Sequence, residues 1–90
     1  MAGFMCDIVT PVAKLVSDEV ELVVVPGVEG EMGFLYNHAP VVSTLADGVV
    51  RIQEEEGGPH KEFAIEGGYV QVDGKKVIIL ADKAEERAQA

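Results

Sequence analysis

Three closely spaced glycines form the segment that most suggests a phosphate-binding loop. Gly27, Gly30 and Gly33 lie in the run Gly-Val-Glu-Gly-Glu-Met-Gly. A dinucleotide fingerprint needs the spacing G-x-G-x-x-G at the start of a helix, and a P-loop needs a lysine that reaches the phosphates. The run has neither feature, so it predicts no nucleotide site. Its glycines instead favour a turn or bulge between two strands, where positive φ is needed and where a contact loop could form.

The two histidines are the side chains best suited to bind a metal. His38 and His60 are far apart in the chain, and no cysteine or carboxylate stands at a spacing that would complete a site with them. His38 lies in the run Tyr-Asn-His-Ala-Pro, a compact loop in which an imidazole commonly bonds to a backbone carbonyl. We therefore predict no metal and no cofactor, and the functional alternative for His38 is a role at a protein surface.

Candidate nucleophiles are few and have no partners nearby in sequence. Ser17, Ser43 and Thr44 have no neighbouring base, so they do not indicate a catalytic triad. The single cysteine, Cys6, stands on the apolar face of a short alternating run, which predicts a buried and unreactive thiol. One thiol cannot form an internal disulfide, so a reducing, intracellular setting is favoured. We expect no catalytic residues in this chain.

Length and charge narrow the function classes further. A chain of 90 residues fits one domain with one core, and its 48% hydrophobic content is too high for a disordered segment. The net charge of -9 opposes binding to nucleic acid or to anionic lipid. The excess of carboxylates also gives Arg51, which alternates with Val50 and Ile52, a choice of cross-strand partners. Apolar stretches such as Leu22 to Val25 are far too short to span a bilayer, so we predict neither insertion nor export.

Apolar residues recur with a period of two in short runs separated by Gly, Pro and Asp, which is typical of half-buried β-strands. The positions expected to share a face are Phe4, Cys6 and Ile8 in one run, and Val20, Leu22 and Val24 in another. Asp73-Gly74 is the preferred dipeptide of a two-residue type I′ hairpin. The pattern predicts an all-β fold of two packed sheets, a β-sandwich or flattened barrel, because one open sheet would leave an apolar face in water.

The composition changes after the last apolar run. Asp82 to Ala90 consists of helix formers, with Asp82 placed to cap a first turn. The segment predicts a short C-terminal helical stub, which would be marginal in isolation.

Five blocks of sequence then carry a family resemblance. They are 25–33 (VPGVEGEMG), 38–43 (HAPVVS), 48–52 (GVVRI), 67–72 (GGYVQV) and 77–82 (VIILAD). By these blocks, over residues 4 to about 84, the chain resembles the epsilon subunits of bacterial F-type ATP synthases, called delta in mitochondria. The resemblance implies a ten-stranded antiparallel β-sandwich over residues 1–83 and the start of a C-terminal helix over residues 84–90.

The resemblance also implies a function without catalysis. Members of this family belong to the central stalk of the rotary, proton-transporting synthase, where they bind the gamma subunit and the c ring and couple ion translocation to ATP synthesis. The alpha and beta subunits would be reached only indirectly, through gamma. The implied place is the cytoplasmic face of the bacterial plasma membrane, peripheral and without direct lipid insertion.

Two sets of contact residues follow from the resemblance. The expected contacts to the c ring are Glu29, Gly30, Glu31 and Met32, and the expected contacts to gamma are His38, Ala39, Pro40, Val42, Ser43 and Thr44. The helical hairpin of typical bacterial members is missing after Asp82, so neither its inhibition of ATP hydrolysis nor its ATP binding is expected here. The alternatives are a free-standing β-sandwich that binds another protein or a ligand, and a small β-barrel enzyme whose turnover would depend on His38.

Overall fold

The computed structural model describes residues 3–36, 38–55 and 57–87, and at His38 and Gly74 it describes the backbone only. Within these ranges the chain forms ten strands: β1 (Phe4–Val9), β2 (Lys14–Val20), β3 (Leu22–Gly27), β4 (Gly30–Phe34), β5 (His38–Thr44), β6 (Gly48–Gln53), β7 (His60–Glu66), β8 (Tyr69–Gly74), β9 (Lys76–Leu80) and β10 (Lys83–Arg87).

The strands form two five-stranded sheets that pack face to face. Sheet A has the order β2-β1-β9-β8-β5, and sheet B has the order β10-β7-β6-β3-β4. The predicted all-β sandwich is confirmed. The strand pairs of the described residues are antiparallel as expected, except that β1 and β9 run parallel. Most of the chain lies between these two strands, so no short turn forces them to run in opposite directions.

The core lies between the inner faces of the two sheets. Phe4, Cys6 and Ile8 of β1 are buried, as their alternation predicted. Sheet B contributes Val23, Val25, Phe34, Val50, Ile52, Phe63 and Ile65, and the remaining strands of sheet A contribute Val16, Val20, Val70, Val72, Val77 and Ile79. With one thiol and no disulfide, this apolar burial is the main source of stability.

The face assigned to Val20, Leu22 and Val24 is wrong. Val20 is buried, but Leu22 and Val24 are only half-buried, on the outer side of sheet B. The reason is that β2 ends at Val20 and β3 begins at Leu22, so the two runs belong to different sheets and do not share one alternation.

The predicted β8–β9 hairpin is present, but its turn lies one residue later than Asp73-Gly74. The register pairs Val72 with Val77, and Lys75 alone separates the two strands. The backbone N–H of Lys75 donates a hydrogen bond to the carbonyl oxygen of Asp73 at 3.0 Å.

The predicted C-terminal helix is wrong for residues 84–87. Lys83–Arg87 forms β10, which pairs antiparallel with β7 from Lys83 opposite Glu66 to Arg87 opposite Glu62. An isolated helix of this length is marginal, whereas the open edge of β7 supplies backbone partners and the core receives Ala84. The sandwich therefore continues to Arg87. Residues 88–90 lie outside the described ranges, and a helix beyond Arg87 stays a prediction.

Candidate functional site

The glycine-rich segment forms the hairpin between β3 and β4. Gly27 pairs with Gly30, so Val28 and Glu29 occupy the tip. Gly30 has φ of 128°, which confirms that the run supplies a positive-φ turn. A Cβ atom on Gly27 would lie 2.7 Å from the carbonyl oxygen of Gly30, so this corner requires glycine because of close backbone approach.

The four predicted c-ring residues differ in exposure. Glu29, Gly30 and Glu31 are exposed, whereas Met32 is half-buried and packs against the core. Glu31 Oε1 lies 3.5 Å from Nη2 of Arg51, and these side chains are 61% and 41% exposed. Arg51 belongs to β6 and Glu31 to β4, with β3 between them, so the ion pair reaches across a strand. A cross-strand carboxylate for Arg51 was predicted; its position two strands away was not.

The predicted gamma-contact residues all lie within β5, which is an edge strand of sheet A. Ala39, Pro40, Val42 and Thr44 are exposed, with Val42 71% exposed, whereas Ser43 is half-buried. Val41 and Ser43 lie opposite the buried Val72 and Val70, so both face the interior of the sandwich. The side chain of His38 lies outside the described part of the chain. The strand thus presents Val42 and Thr44 outward on one face.

Sequence reasoning missed that this face continues across sheet A. The register aligns Thr44 with Tyr69, Leu80 and Val9 in one row, and Val42 with Gln71, Ile78 and Asp7 in the next. Along these rows Tyr69 is 46% exposed, and Val9, Ile78 and Leu80 are half-buried. The sequence does show apolar residues at the outward positions of β1, β8 and β9, but only the strand order shows that these positions are adjacent. We call this the outer face of sheet A.

Backbone hydrogen bonds join the hairpin tip to the end of β5. The N–H of Val28 donates to the carbonyl oxygen of Thr44 at 3.2 Å, and the N–H of Ala46 donates to the carbonyl oxygen of Pro26 at 2.7 Å. Gly27 forms an isolated antiparallel bridge with Leu45, whose side chain is buried. Hydrogen bonds between main-chain atoms therefore link the two predicted contact regions directly.

The single thiol of the chain lies in the core. Burial raises the pKa of the Cys6 thiol to about 12, with the charges of Asp7 and Asp18 acting in the same direction, so the thiolate is suppressed. Among residues 3–36, 38–55 and 57–87, no group of three or more His, Cys, Asp and Glu side chains comes together as a metal site. The described residues also include no helix that is long and apolar enough to cross a membrane.

Comparison with known proteins now identifies the family. Residues 3–87 match the family model described as "ATP synthase, Delta/Epsilon chain, beta-sandwich domain". The chain belongs to this family. The match covers all ten strands, so the resemblance seen in the five sequence blocks is confirmed.

Two similar proteins of the delta/epsilon family share one name. The chain is 42% identical over 83 residues to the "ATP synthase epsilon chain" of Desulforamulus reducens, covering 92% of this chain and 61% of the relative. It is 47% identical over 78 residues to the protein of that name from Campylobacter curvus, covering 87% and 60%. The chain thus spans about three fifths of the length of these relatives.

Solved structures agree with the delta/epsilon fold. A chain of the Euglena gracilis mitochondrial ATP synthase, in a structure of "OSCP/F1/c-ring in rotational state 1", matches with a TM-score of 0.87 and 26% identity over 96% of this chain and 54% of that one. A chain of the Tetrahymena thermophila mitochondrial ATP synthase "central stalk/cring" matches in fold, with a TM-score of 0.76 at 15% identity, over 91% of this chain and 65% of that one.

Proposed function

We propose that the chain is the β-sandwich part of an epsilon subunit, which binds gamma and the c ring in the central stalk and couples proton translocation to ATP synthesis. It would do so without catalysis, on the cytoplasmic face of the bacterial plasma membrane and without inserting into lipid. The alpha and beta subunits would be reached only through gamma. The observation that carries this proposal is that two exposed surfaces of a delta/epsilon sandwich are joined by main-chain hydrogen bonds.

The gamma contact is assigned to the outer face of sheet A beside β5. Val42 and Thr44 present their side chains there, next to the exposed ring of Tyr69. An exposed apolar surface of this kind on a small sandwich is typical of a protein interface. Pro40 fixes its own φ and holds Ala39 in extended geometry, so the start of β5 loses little entropy on docking. Ser43, on the opposite side of the strand, would support the interface from beneath.

The c-ring contact is assigned to the tip of the β3–β4 hairpin. Glu29, Gly30 and Glu31 are exposed, and the two carboxylates suit polar loops that carry donors or cations. The packing of Met32 against the core anchors the base of the tip, so the hairpin would resist lateral force. The hairpin would transmit torque by packing and hydrogen bonding, with no covalent bond made or broken.

A paired measurement tests the gamma assignment. Val42→Arg changes a residue that is 71% exposed, so the free chain should keep its thermal unfolding temperature. Its binding free energy for gamma should weaken by several kcal/mol, because the interface would bury an unpaired guanidinium. The matched variant is Ser43→Arg, which should destabilise the free chain because Ser43 faces inward. Full gamma binding by a folded Val42→Arg chain would show that gamma docks elsewhere.

A second measurement tests the c-ring assignment. Glu31→Lys should lower ATP-driven proton pumping in membrane vesicles that carry the assembled synthase, and Glu31→Gln should lower it less. Glu85→Lys, an exposed position on β10 at the far edge of sheet B, is the control for charge reversal. Pumping unchanged by Glu31→Lys would contradict the contact. If the chain fails to associate with gamma at all, the free-standing binding module becomes the better interpretation.

A further inference from the structure

Asp7 is the one buried charged side chain among the described residues, and the outer face of sheet A contains it. The residue is 6% exposed. Its neighbours Cys6 and Ile8 point into the core, so the strand alternation directs Asp7 to the opposite side. A carboxylate in such a place must be compensated, because burying an ion without partners is costly.

The compensation found in the structure is incomplete. Oδ2 of Asp7 lies 3.4 Å from Nζ of Lys76 and 3.8 Å from Nζ of Lys14, and these lysine side chains are about half exposed. Both distances exceed the 2.7–2.9 Å of a good charge-assisted hydrogen bond. Oδ1 is buried and has no hydrogen-bond partner within the part of the chain that the structure describes. One oxygen is thus loosely shared by two cations, and the other is an unused acceptor.

The register places this acceptor in line with the proposed gamma contact. Asp7 is aligned with Ile78, Ile78 with Gln71, and Gln71 with Val42. Three strand spacings separate Asp7 from Val42, a distance of roughly 15 Å, which is well within one protein interface. The same row therefore contains an exposed apolar side chain at one end and a buried acceptor near the other.

We infer that Asp7 Oδ1 accepts a hydrogen bond from an uncharged N–H or O–H group of the gamma subunit when gamma covers the outer face of sheet A. This inference rests on the proposed function. An uncharged donor is favoured because Lys14 and Lys76 already bring two positive charges to one carboxylate, so a further cation would be repelled. Lys14 and Lys76 would move aside when gamma docks, since their contacts to Asp7 are long and their side chains are half exposed. Asp7 is then a specificity-determining residue of the interface.

The decisive variant is Asp7→Leu, which keeps the branching at Cγ and removes the acceptor. The inference predicts that the free chain unfolds at an unchanged or higher temperature, because a poorly compensated buried ion is replaced by an apolar group. It also predicts that affinity for purified gamma falls about tenfold or more, because the donor on gamma loses its partner. Asp18→Leu is the matched control: Asp18 is an exposed carboxylate opposite Cys6, on the other side of the same sheet, and its loss should leave the affinity unchanged.

Two further variants separate the possible outcomes. If Asp7→Leu does not fold, the affinity of Asp7→Ala is judged by the same criterion. If the double variant Lys14→Met/Lys76→Met weakens gamma binding as much as Asp7→Leu does, the carboxylate acts through its lysines and the inference is wrong. If Asp7→Leu binds gamma normally while Val42→Arg does not, the inference fails and the proposed interface stands. Normal binding by both variants would overturn the interface together with the role of Asp7.

Discussion

The backbone N–H of Val28, at the tip of the β3–β4 hairpin, donates a hydrogen bond to the carbonyl oxygen of Thr44, at the end of β5. The hairpin belongs to sheet B and β5 to sheet A, so this bond of 3.2 Å crosses between the sheets. With the bond from Ala46 to Pro26 it makes a short rigid connection between the surface assigned to the c ring and the surface assigned to gamma. Force at the hairpin would reach β5 without passing through the core.

The ion pair between Glu31 and Arg51 should contribute little to folding. Both side chains are well exposed, so a double-mutant cycle on Glu31→Gln and Arg51→Gln should give a coupling free energy of about 0.2–1 kcal/mol. The coupling should shrink as salt is added, because water and counterions screen exposed charges. Urea denaturation of the four chains measures it. A coupling that is large and insensitive to salt would contradict the exposure seen in the structure.

Gly68 should tolerate no side chain. Its φ is 109°, and an added Cβ would lie 2.0 Å from the carbonyl oxygen of Leu80 and 2.7 Å from Cα of Ala81. Because these obstacles are backbone atoms, Gly68→Ala should lower the free energy of unfolding by about 3 kcal/mol or more.

Gly57→Ala is the control for that substitution. Gly57 also has positive φ, 77°, but open space surrounds its Cβ position, so only the backbone preference is lost, about 1–2 kcal/mol. Thermal or urea denaturation compares the two variants. Equal losses would mean that the crowding at Gly68 is relieved by a backbone shift.

The thiol of Cys6 should make stability depend on alkaline pH. Burial raises its pKa from 9.0 to about 12, so above about pH 9 the unfolded chain releases a proton that the folded chain retains. Stability is therefore complete below pH 9 and falls as pH rises towards 12, by at most about 1.4 kcal/mol per pH unit for one group. Urea denaturation at a series of pH values measures the slope.

Cys6→Val separates the contribution of the thiol to this pH dependence from the contribution of Lys61. The pKa of Lys61 is raised by its hydrogen bond to Glu54, which also makes stability fall as pH rises, so the comparison between the two chains matters more than either curve alone. The valine chain should show the shallower decline. Identical slopes for both chains would contradict a buried thiol.

The alternation of apolar and polar residues was enough to predict the buried face of a strand where the run of residues stays within one sheet. Phe4, Cys6 and Ile8 were correctly assigned to the core because β1 is one uninterrupted strand with one buried face. Leu22 and Val24 were assigned wrongly because Glu21 separates strands of different sheets, and a shift by one residue exchanges the two faces. Local pattern cannot reveal where the chain changes sheet.

Contacts that depend on strand order could not be predicted. Lys83–Arg87 has the composition of a helix, and only the open edge of β7 makes it a strand. The glycine-rich turn was predictable because positive φ is a local requirement, and Gly30 meets it. The row from Asp7 to Val42 joins residues from four strands, so it exists only once the sheet has formed.

Hydrogen exchange should reveal the connection between the hairpin and β5. The amides of Val28 and Ala46 are bonded to main-chain oxygens, so both should exchange slowly in the free chain although the side chain of Val28 is 58% exposed. Binding of gamma to the outer face of sheet A should fix Thr44 and slow the exchange of the Val28 amide by about tenfold or more, without gamma touching the hairpin tip.

The amide of Gly58 is the matched control for this experiment. It donates to the carbonyl oxygen of Glu55 at 2.9 Å, in the loop between β6 and β7 of sheet B. Its exchange should be unchanged when gamma binds, and NMR of the labelled chain reads both amides in one sample. Equal slowing at Gly58 and Val28 would show that gamma stabilises the whole sandwich. Fast exchange at Val28 in the free chain would show that the bond to Thr44 does not hold in solution, and the rigid connection would then be lost.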